Sequence, residues 1–497
     1  MLINVTQQDA SVTLSYVKNN LIEVKTYPVY QYNGIGTYDY RIARYDGDPD
    51  IVNNLVHYKD DKKVKRVMSY KFDFDTLREF ITQVIPEEDR NEIFTLEMPG
   101  AYKCDIEIAV GDGEIFPDPY LAEMVIDSIQ ITAPNLNTVT ITCNPRVKKA
   151  GTPEGDKQIN DIEDAINKHF EQVDFVKTLT DRIKYSHIVY DSETEMLERW
   201  WRLINTTLHA VGFWNGSGFD VPYLWNRCKK LGVDVGMGSP TGEVSNREMW
   251  CRHRHIVDDM QIVENFSHDL GTKQSLSLDY ISNRIFGVGK IPYDGSFSDL
   301  YNGCIIRYMT YGAVDTILQQ LIEQNRKYSA GSEAMAYYCK IPIVDVGKTT
   351  ALVHAVIWDE LYKQGKINAE EYFKKEKTPY GGGFVKQPTR KFCMYPVGVD
   401  FSALYPRVIQ TCNISFENYM GRVRDKKHAE ELRAQGYFVA VSGNYYKNDK
   451  TYCLKSVQDK FLSERYLYKD LQFAIWQEVV PTLEAELKRR GINPKKL

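Results

Sequence analysis

The sequence contains no long apolar run, no repeat of fixed period and no cysteine pattern of the kind that holds zinc or a disulfide framework. No stretch approaches the roughly 18 apolar residues of a membrane-spanning helix, and the first residues lack the basic-then-apolar order of a secretory signal. The nine cysteines are scattered, without a Cys-x-x-Cys pair. These absences predict a soluble, intracellular protein with reduced cysteines and no membrane contact.

Glycine and proline are too few for a fibrous or linker-rich chain, since 32 Gly and 19 Pro stand among 497 residues. The chain is 43% hydrophobic, enough for the cores of about two to four domains. Its charge is uneven, because residues 361–497 contain 25 Lys and Arg against 15 Asp and Glu, whereas the preceding residues are acidic. The basic part indicates contact with a polyanion or, with about equal weight, a solvated surface of uneven charge.

Residue patterning divides the chain coarsely. The first hundred residues predict a small α+β region with a helix that starts after Asp75 and stops at Pro86. From about residue 104 to 330, apolar runs alternate with long helical segments, which is typical of an α/β domain. A glycine-rich linker near residue 380 then precedes a strand that ends at Asp400, and the last segment is helical with an interruption at Pro481.

Residues 102–110 contain the first candidate for chemistry. On the predicted strand, Asp105 and Glu107 share one face. The opposite face holds apolar side chains, namely Cys104, Ile106, Ile108 and Val110. Two close carboxylates bind a divalent cation, although an ordinary half-exposed strand explains the same pattern.

Two further acids stand in positions that are typical of functional groups. Asp220 follows a turn at residues 215–218 and opens a helix, either as a cap or as a functional carboxylate at a strand-to-helix junction. Asp315 falls on an apolar helical stripe with Tyr311 one turn earlier. It is either a buried carboxylate that needs a partner or an exposed acid at the edge of the stripe.

In this order, the segments CDIE, GFDVPY and YGAVD, followed by VGVDFSALYPRVIQ, resemble the exonuclease and first polymerase motifs of family B DNA polymerases. The phrases FPDP and SLDYISNRIFGVGKIPYDG are similar to the T-even-type bacteriophage branch. The resemblance spans essentially the whole chain and is strongest from residue 102 to 415. It implies a multidomain α/β and α+β fold with five parts: an N-terminal α+β domain (1–103), an RNase H-like 3′-5′ exonuclease domain (104–327), a helical return segment on the N-terminal domain (328–371), a partial palm (372–455) and the start of the fingers (456–497).

For the exonuclease, the resemblance implies two Mg²⁺ or Mn²⁺ ions, as two-metal phosphodiester hydrolysis requires. The implied ligands are Asp105, Glu107, Asp220 and Asp315. Tyr311 is implied to orient the attacking water. Lys290 is a candidate for stabilising the scissile phosphate, or else a lysine of a surface loop. The aromatic residues near these motifs could stack on single-stranded 3′ ends, with core packing expected for most: Phe116, Phe219 and Tyr223.

For the polymerase part, the resemblance implies that Asp400 is a metal ligand and that Tyr405 lies under the incoming sugar. Arg465 and Lys469, one turn apart on a predicted helix, are implied to grip the nucleotide triphosphate, although a solvated basic face would look the same. Arg407 departs from the family, which more often has a small residue there. The full set of implied nucleotide-binding residues is Asp400, Ser402, Ala403, Leu404, Tyr405, Arg465 and Lys469.

Neither the family's Asn-Ser-x-Tyr-Gly helix nor its Asp-Thr-Asp-Ser hairpin occurs in the 497 residues. We therefore expect the amino-terminal, proofreading subunit of a phage-type polymerase, which synthesises DNA only when a second chain supplies the missing palm, fingers and thumb. Expected partners are primer-template DNA, single-stranded 3′ ends, dNTP, that second subunit and, through it, a sliding clamp. The expected location is the cytoplasm of an infected bacterium. The alternatives are a stand-alone 3′-5′ exonuclease with a vestigial palm and a non-catalytic DNA-binding assembly protein.

Overall fold

The structure is a computed structural model, and it describes the following residues: 1–8, 11–19, 21–28, 42–43, 56–59, 62–67, 85–93, 95, 98, 100–110, 117–363, 386–387, 392, 394–395 and 397–491. They fall into two compact units. The first unit takes the described residues of 1–38 and 69–352, and the second takes those of 39–68 and 353–495. The helix predicted after Asp75 and the aromatic Phe116 lie outside the described residues. The domain boundaries expected from the sequence stay a prediction.

Two small antiparallel sheets come from the amino-terminal part of the chain. In the first unit, β1 (Leu2–Gln8), β2 (Ser11–Lys18) and β3 (Leu21–Pro28) pair in chain order. In the second unit, β4 (Ile42–Ala43), β5 (Val56–Lys59) and β6 (Lys62–Val67) pair in the order β4-β6-β5. Helix α1 (Glu87–Ile93) starts directly after Pro86. It joins the first sheet through ion pairs from Lys25 to Asp89 and Glu92, at 2.7 and 3.3 Å.

A six-stranded mixed sheet forms the centre of the first unit, in the order β10-β9-β8-β7-β11-β14. Its strands are β7 (Tyr102–Ile108), β8 (Ile126–Thr132), β9 (Thr138–Thr142), β10 (Tyr185–Val189), β11 (Ala210–Phe213) and β14 (His255–Asp258). Strands β7, β8 and β9 are antiparallel neighbours, whereas β11 runs parallel to both β7 and β14. Every residue of β8 is buried, because helices cover both faces of the sheet. The predicted mixed α/β architecture is confirmed.

The helices of the first unit surround this sheet. In chain order they are α2 (Pro153–His169), α3 (Asp174–Leu179), α4 (Glu193–Thr206), α5 (Asp220–Leu231), α6 (Asp259–Phe266), α7 (Leu278–Phe286), α8 (Phe297–Asn302), α9 (Ile305–Arg326) and α10 (Ser329–Cys339). A short hairpin, β12 (Val244–Ser245) with β13 (Trp250–Cys251), stands between α5 and β14. Helix α11 (Thr349–Lys363) follows α10. No helix of the described residues is long and apolar enough to cross a membrane.

Two hydrophobic cores lie on the two faces of the sheet. The predicted apolar face of β7 is confirmed, since Cys104, Ile106 and Ile108 pack in one core with the indoles of Trp200 and Trp201. The opposite face is covered by α9, which packs on β7 and β8. Residues 308–322 of α9 are all buried, so this helix is enclosed on every side and not only along one stripe. The carboxylates of β7 therefore face a helix and not bulk water.

The second unit contains the polymerase-like segments. Its further elements are α12 (Leu404–Cys412), β15 (Tyr419–Arg422), α13 (Lys426–Ala434), β16 (Phe438–Val439), β17 (Asn444–Tyr446), α14 (Cys453–Ala474) and α15 (Val480–Arg489). The predicted helical tail is confirmed, and its interruption is a π-helical turn at Ile475–Val479, just before Pro481. The predicted strand before Asp400 is wrong for residues 397–400, which are irregular. Among the described residues no neighbouring strand pairs with them, and an apolar segment needs such a partner to form a strand.

Candidate active site

Strand β7 presents Asp105 and Glu107 toward α9. Across the antiparallel ladder, Asp105 stands opposite Gln130 and Glu107 opposite Ser128, two uncharged polar residues of β8. Glu107 is buried, and Asp105 is half-buried. Successive side chains of a strand point to opposite faces. The apolar side chains of β7 therefore build the core on one face, and both carboxylates lie on the other.

Helix α9 supplies Asp315. This residue is buried, which agrees with the interpretation as a buried carboxylate and not with that as an exposed acid. Oxygen atoms of Asp105, Glu107 and Asp315 all lie within 4.8 Å of one another. The close approach of α9 depends on Gly312. A Cβ atom at this position would stand 2.6 Å from Gln130 Nε2 and 3.0 Å from Glu107 Oε1, closer than side chains pack.

Asp220 is the first residue of α5 and lies on the Asp105 side of the cluster. The N-cap of α5 is Phe219, so Asp220 does not cap the helix. Its Oδ1 accepts a hydrogen bond from the backbone N–H of Ile106, at 3.4 Å, and its side chain interacts with Asp105. The set of three oxygens that lie within 4.8 Å of one another does not include Asp220.

Burial raises the pKa values of all four acids, and repulsion between carboxylates adds to this for Asp105 and Glu107. Burial is the largest cause throughout, and it raises the pKa of Asp220 to about 7. The pKa values of Asp105 and Glu107 are raised well above their ordinary range, first by burial and then by the neighbouring carboxylates. Burial also raises the pKa of Asp315, although Lys290 and Tyr311 partly offset this. Such a cluster favours protons or cations over four bare negative charges.

Lys290 reaches the cluster from the segment after α7. Its Nζ donates to Asp315 Oδ2 at 2.6 Å and lies 5.6 Å from the centre of the Tyr311 ring. Burial alone would lower the pKa of Lys290, but Asp315 and Asp105 raise it above its usual range. The structure therefore places Lys290 as a cationic partner of a predicted metal ligand.

Tyr311 lies one turn before Asp315 on α9, as the sequence predicted. Its ring packs edge-on against Tyr293, with centroids 5.7 Å apart. Burial and the nearby carboxylates raise its pKa, so the hydroxyl keeps its proton at neutral pH. Of the aromatic residues considered for base stacking, Tyr223 is buried and its hydroxyl donates to the backbone oxygen of Met124, which is a structural role.

The residues present fit a divalent cation. Glu107 Oε1 and Asp315 Oδ1 are buried, and neither oxygen has a hydrogen-bond partner among the described residues. Carboxylate oxygens are the ligands that hard divalent cations prefer, and an unpartnered buried carboxylate is costly without one. One lysine does not balance the charge of four carboxylates.

The predicted polymerase residues lie in the second unit and are not enclosed. Tyr405 is 79% exposed, and Asp400, Ser402, Arg465 and Lys469 are exposed as well. Ala403 adopts a left-handed conformation, with φ of 54°, at the turn into α12. Helices α12 and α14 pack together, and Arg407 donates to the Tyr466 hydroxyl at 3.0 Å. Arg465 and Lys469 stand one turn apart on α14, as predicted. Among the described residues, Asp400 is not part of a group of three or more close ligand residues.

Sequence reasoning missed several residues that organise the first site. In the sequence, Gly312 stands out only as part of a motif, and no motif includes Gln130, Lys103, Asp258 or Asp259. Two signals in the sequence point to Lys103, Asp258 and Asp259. One is a charged residue inside an apolar strand (KCDIE), and the other is a pair of consecutive acids at the end of another strand (HIVDDM).

Comparison with known families gives two matches. A model described as DNA polymerase family B, exonuclease domain, matches residues 55–285. A second model, DNA polymerase family B, matches residues 345–475. Together they cover more than two thirds of the chain.

Among curated proteins, a DNA-directed DNA polymerase of Escherichia phage RB69 is 28% identical over 400 residues, which is 74% of this chain and 42% of the relative. A DNA-directed DNA polymerase of Enterobacteria phage T4 is 28% identical over 338 residues, covering 65% of this chain and 36% of the relative. A DNA polymerase of Pyrococcus glycovorans is 25% identical over 248 residues, which is 46% of this chain and 31% of the relative. The chain thus spans less than half the length of these relatives, and it belongs to DNA polymerase family B.

Proposed function

We propose that this chain is the proofreading part of a phage-type family B DNA polymerase, whose RNase H-like domain removes nucleotides from the 3′ ends of DNA. One observation carries this function: three carboxylates from β7 and α9 converge within 4.8 Å and leave buried oxygens without partners. Such a site suits the hydrolysis of a polyanion, because phosphodiester cleavage needs compensation of negative charge.

Asp105, Glu107, Asp220 and Asp315 would hold two Mg²⁺ or Mn²⁺ ions. When bound, such ions neutralise charge on the attacking and leaving oxygens of a phosphodiester. Lys290 Nζ has three N–H donors, of which one goes to Asp315, so it has donors for an oxygen of the scissile phosphate. The protonated Tyr311 hydroxyl, beside Asp315, holds and orients a water molecule.

The exonuclease function is tested with the full chain and a single-stranded oligonucleotide labelled at its 5′ end. We expect stepwise shortening from the 3′ end that requires Mg²⁺ or Mn²⁺. The double variant Asp105→Ala, Glu107→Ala should lose this activity, and Glu430→Ala, an exposed acid of the second unit, should retain it. Equal digestion by wild type and the double variant would refute the site.

For DNA synthesis we propose that the second unit contributes metal and nucleotide contacts through Asp400, Tyr405, Arg465 and Lys469. DNA synthesis from dNTP and primer-template would then require a second chain, and clamp contact through that chain stays a prediction. Primer extension by this chain alone, and by its mixture with a candidate chain that carries an Asp-Thr-Asp-Ser hairpin, tests this. Extension by this chain alone would refute the need for a partner.

The phage polymerases among the relatives favour a role in an infected bacterial cell. We therefore keep the cytoplasm of such a cell as the proposed location. Fractionation of infected cells with an antibody against this chain would test it.

A further inference from the structure

Two consecutive acids at the junction of β14 and α6 connect the strands and the turn that hold the carboxylate cluster. Asp258 is the last residue of β14 and the N-cap of α6, and Asp259 is the first residue of α6. Neither belongs to the cluster of Asp105, Glu107 and Asp315. Their side chains make contacts with two different segments of the chain.

Asp258 holds the turn between β11 and α5. Its Oδ2 accepts from the backbone N–H of Ser217 at 3.0 Å and from the Ser217 hydroxyl at 2.5 Å. Gln261 Nε2 donates to the same hydroxyl at 2.9 Å, and Asp258 Oδ1 accepts from the Gln261 N–H at 3.3 Å. Since Asp258 stands opposite Phe213 in the parallel ladder, it reaches this turn directly.

The turn decides where Asp220 stands. Ser217 and Gly218 are exposed, and Asn215 has a left-handed backbone, with φ of 61°. The hydrogen bond that Asp220 accepts from Ile106 is long, at 3.4 Å, so the direction of its side chain depends on how α5 begins. Removing the bonds from Asp258 to Ser217 would let the start of α5 move.

Asp259 holds the other ligand-bearing strand. Its Oδ1 accepts from Lys103 Nζ at 2.6 Å, and both side chains are almost fully buried. The ion pair passes beside Gly212 of β11, where a Cβ atom would lie 2.6 Å from Asp259 Oδ2 and 2.9 Å from Lys103 Nζ. Lys103 lies two residues before Asp105 on β7, so the pair connects the start of α6, directly after β14, to β7 across β11.

We propose that Asp258 and Asp259 are positioning residues that set the separation of Asp220 and Asp105 in the exonuclease site. Asp258 acts through Ser217 and the start of α5, and Asp259 acts through Lys103 and β7. The inference rests on the proposed exonuclease function. Supporting residues of this kind, which do not touch the ion, change metal affinity or activity by roughly 10- to 100-fold when they are lost.

The first test is Asp258→Ser in the full chain. Serine keeps the N-cap of α6 but is too short to reach Ser217. We expect faster amide exchange at residues 216–219 and a Kd for Mn²⁺ about tenfold higher, measured by electron paramagnetic resonance of free Mn²⁺. The kcat for single-stranded DNA should fall by about the same factor, while KM stays constant. Glu264→Ser, at an exposed position of α6, is the matched control and should change none of these.

The second test replaces the buried ion pair by apolar residues of similar volume, with the double variant Lys103→Met, Asp259→Leu. Such replacements often preserve stability, whereas a single change would leave one buried charge unpaired. We expect a melting temperature near that of wild type, together with a Mn²⁺ Kd raised by roughly tenfold or more.

Unchanged exchange at residues 216–219 and an unchanged Mn²⁺ Kd in Asp258→Ser would overturn the inference, as would an unchanged Mn²⁺ Kd in a folded double variant. A rise in the Mn²⁺ Kd that only follows a fall in the melting temperature would also overturn the inference, because general destabilisation would then explain it. If wild type does not digest DNA, the proposed function fails, but exchange and Mn²⁺ binding still decide the roles of Asp258 and Asp259.

Discussion

The two units hold their acidic residues in opposite environments. In the first unit, the acids are packed between a sheet and a helix that is buried on every side. In the second unit, the segment around Asp400 lies open, with Val399 at 86% and Phe401 at 71% exposed. The first site is built by its own unit, whereas among the described residues Asp400 belongs to no group of three close ligand residues.

Burial has two effects on a cluster of acids. Packing brings the carboxylates close enough to share a cation, and the same packing raises their pKa values. The first unit therefore holds a cluster whose negative charge is compensated by protons or by a cation.

The largest effect is expected for Glu107→Gln. The change keeps the shape of a buried side chain but removes a charge that repels Asp315. We expect digestion to fall by more than about 100-fold, because loss of a proposed ligand should exceed the roughly 10- to 100-fold effect of losing a supporting residue. Without metal, the melting temperature should rise, because the repulsion and the cost of burying the charge are gone.

The matched change in the second unit is Glu430→Gln, on the exposed surface of α13. It should alter neither digestion nor the metal-free melting temperature, since exposed charges contribute little. A metal-free melting temperature of Glu107→Gln below that of wild type would contradict the contrast between the units.

A smaller effect is expected for Gly312→Ala. The added methyl group would push α9 away from Gln130 and Glu107. We expect a loss of about 1–3 kcal/mol in the free energy of unfolding, which is typical of overpacking. Digestion should fall about tenfold, because Asp315 moves with the helix. Gly347→Ala is the control, since a Cβ there meets nothing within 4 Å; similar losses in both variants would rule out the close approach as the cause.

The smallest effect concerns pH. Folding raises the pKa of Asp220 from 3.8 to about 7, so the folded, metal-free chain holds a proton that the unfolded chain releases. The metal-free chain should therefore lose stability as the pH rises from about 4 to about 7. Binding of Mn²⁺ should tighten over the upper part of this range, because the ligands must lose their protons. Calorimetric titrations at several pH values measure this; a Kd independent of pH would contradict the role of burial.

The sequence predicted much of the first site because strand alternation is a strong constraint. Asp105 and Glu107 on one face, and Ile106 and Ile108 on the other, follow directly from the period of two. From the residues alone, Asp315 is either a buried carboxylate or an exposed acid. Only the family resemblance predicts that it meets the acids of β7. Periodicity reports which residues are buried but not which distant segments meet.

Other features could not be read from the chain. The pairing of Lys290 with Asp315 depends on how a loop after α7 folds back, and local patterns contain no such information. The strand expected before Asp400 is irregular over residues 397–400, because the hydrogen bonds of a strand come from a neighbour that the local sequence does not specify. Gly312 gave no signal, since its importance lies in what its missing side chain allows to approach.

The carboxylates of the first site are far apart along the chain, with Asp105 and Asp315 separated by more than 200 residues. During synthesis, the cluster stays incomplete until α9 has left the ribosome, because Asp315 lies on this helix. The proposed exonuclease site can therefore form only after α9, which ends at Arg326, has been translated.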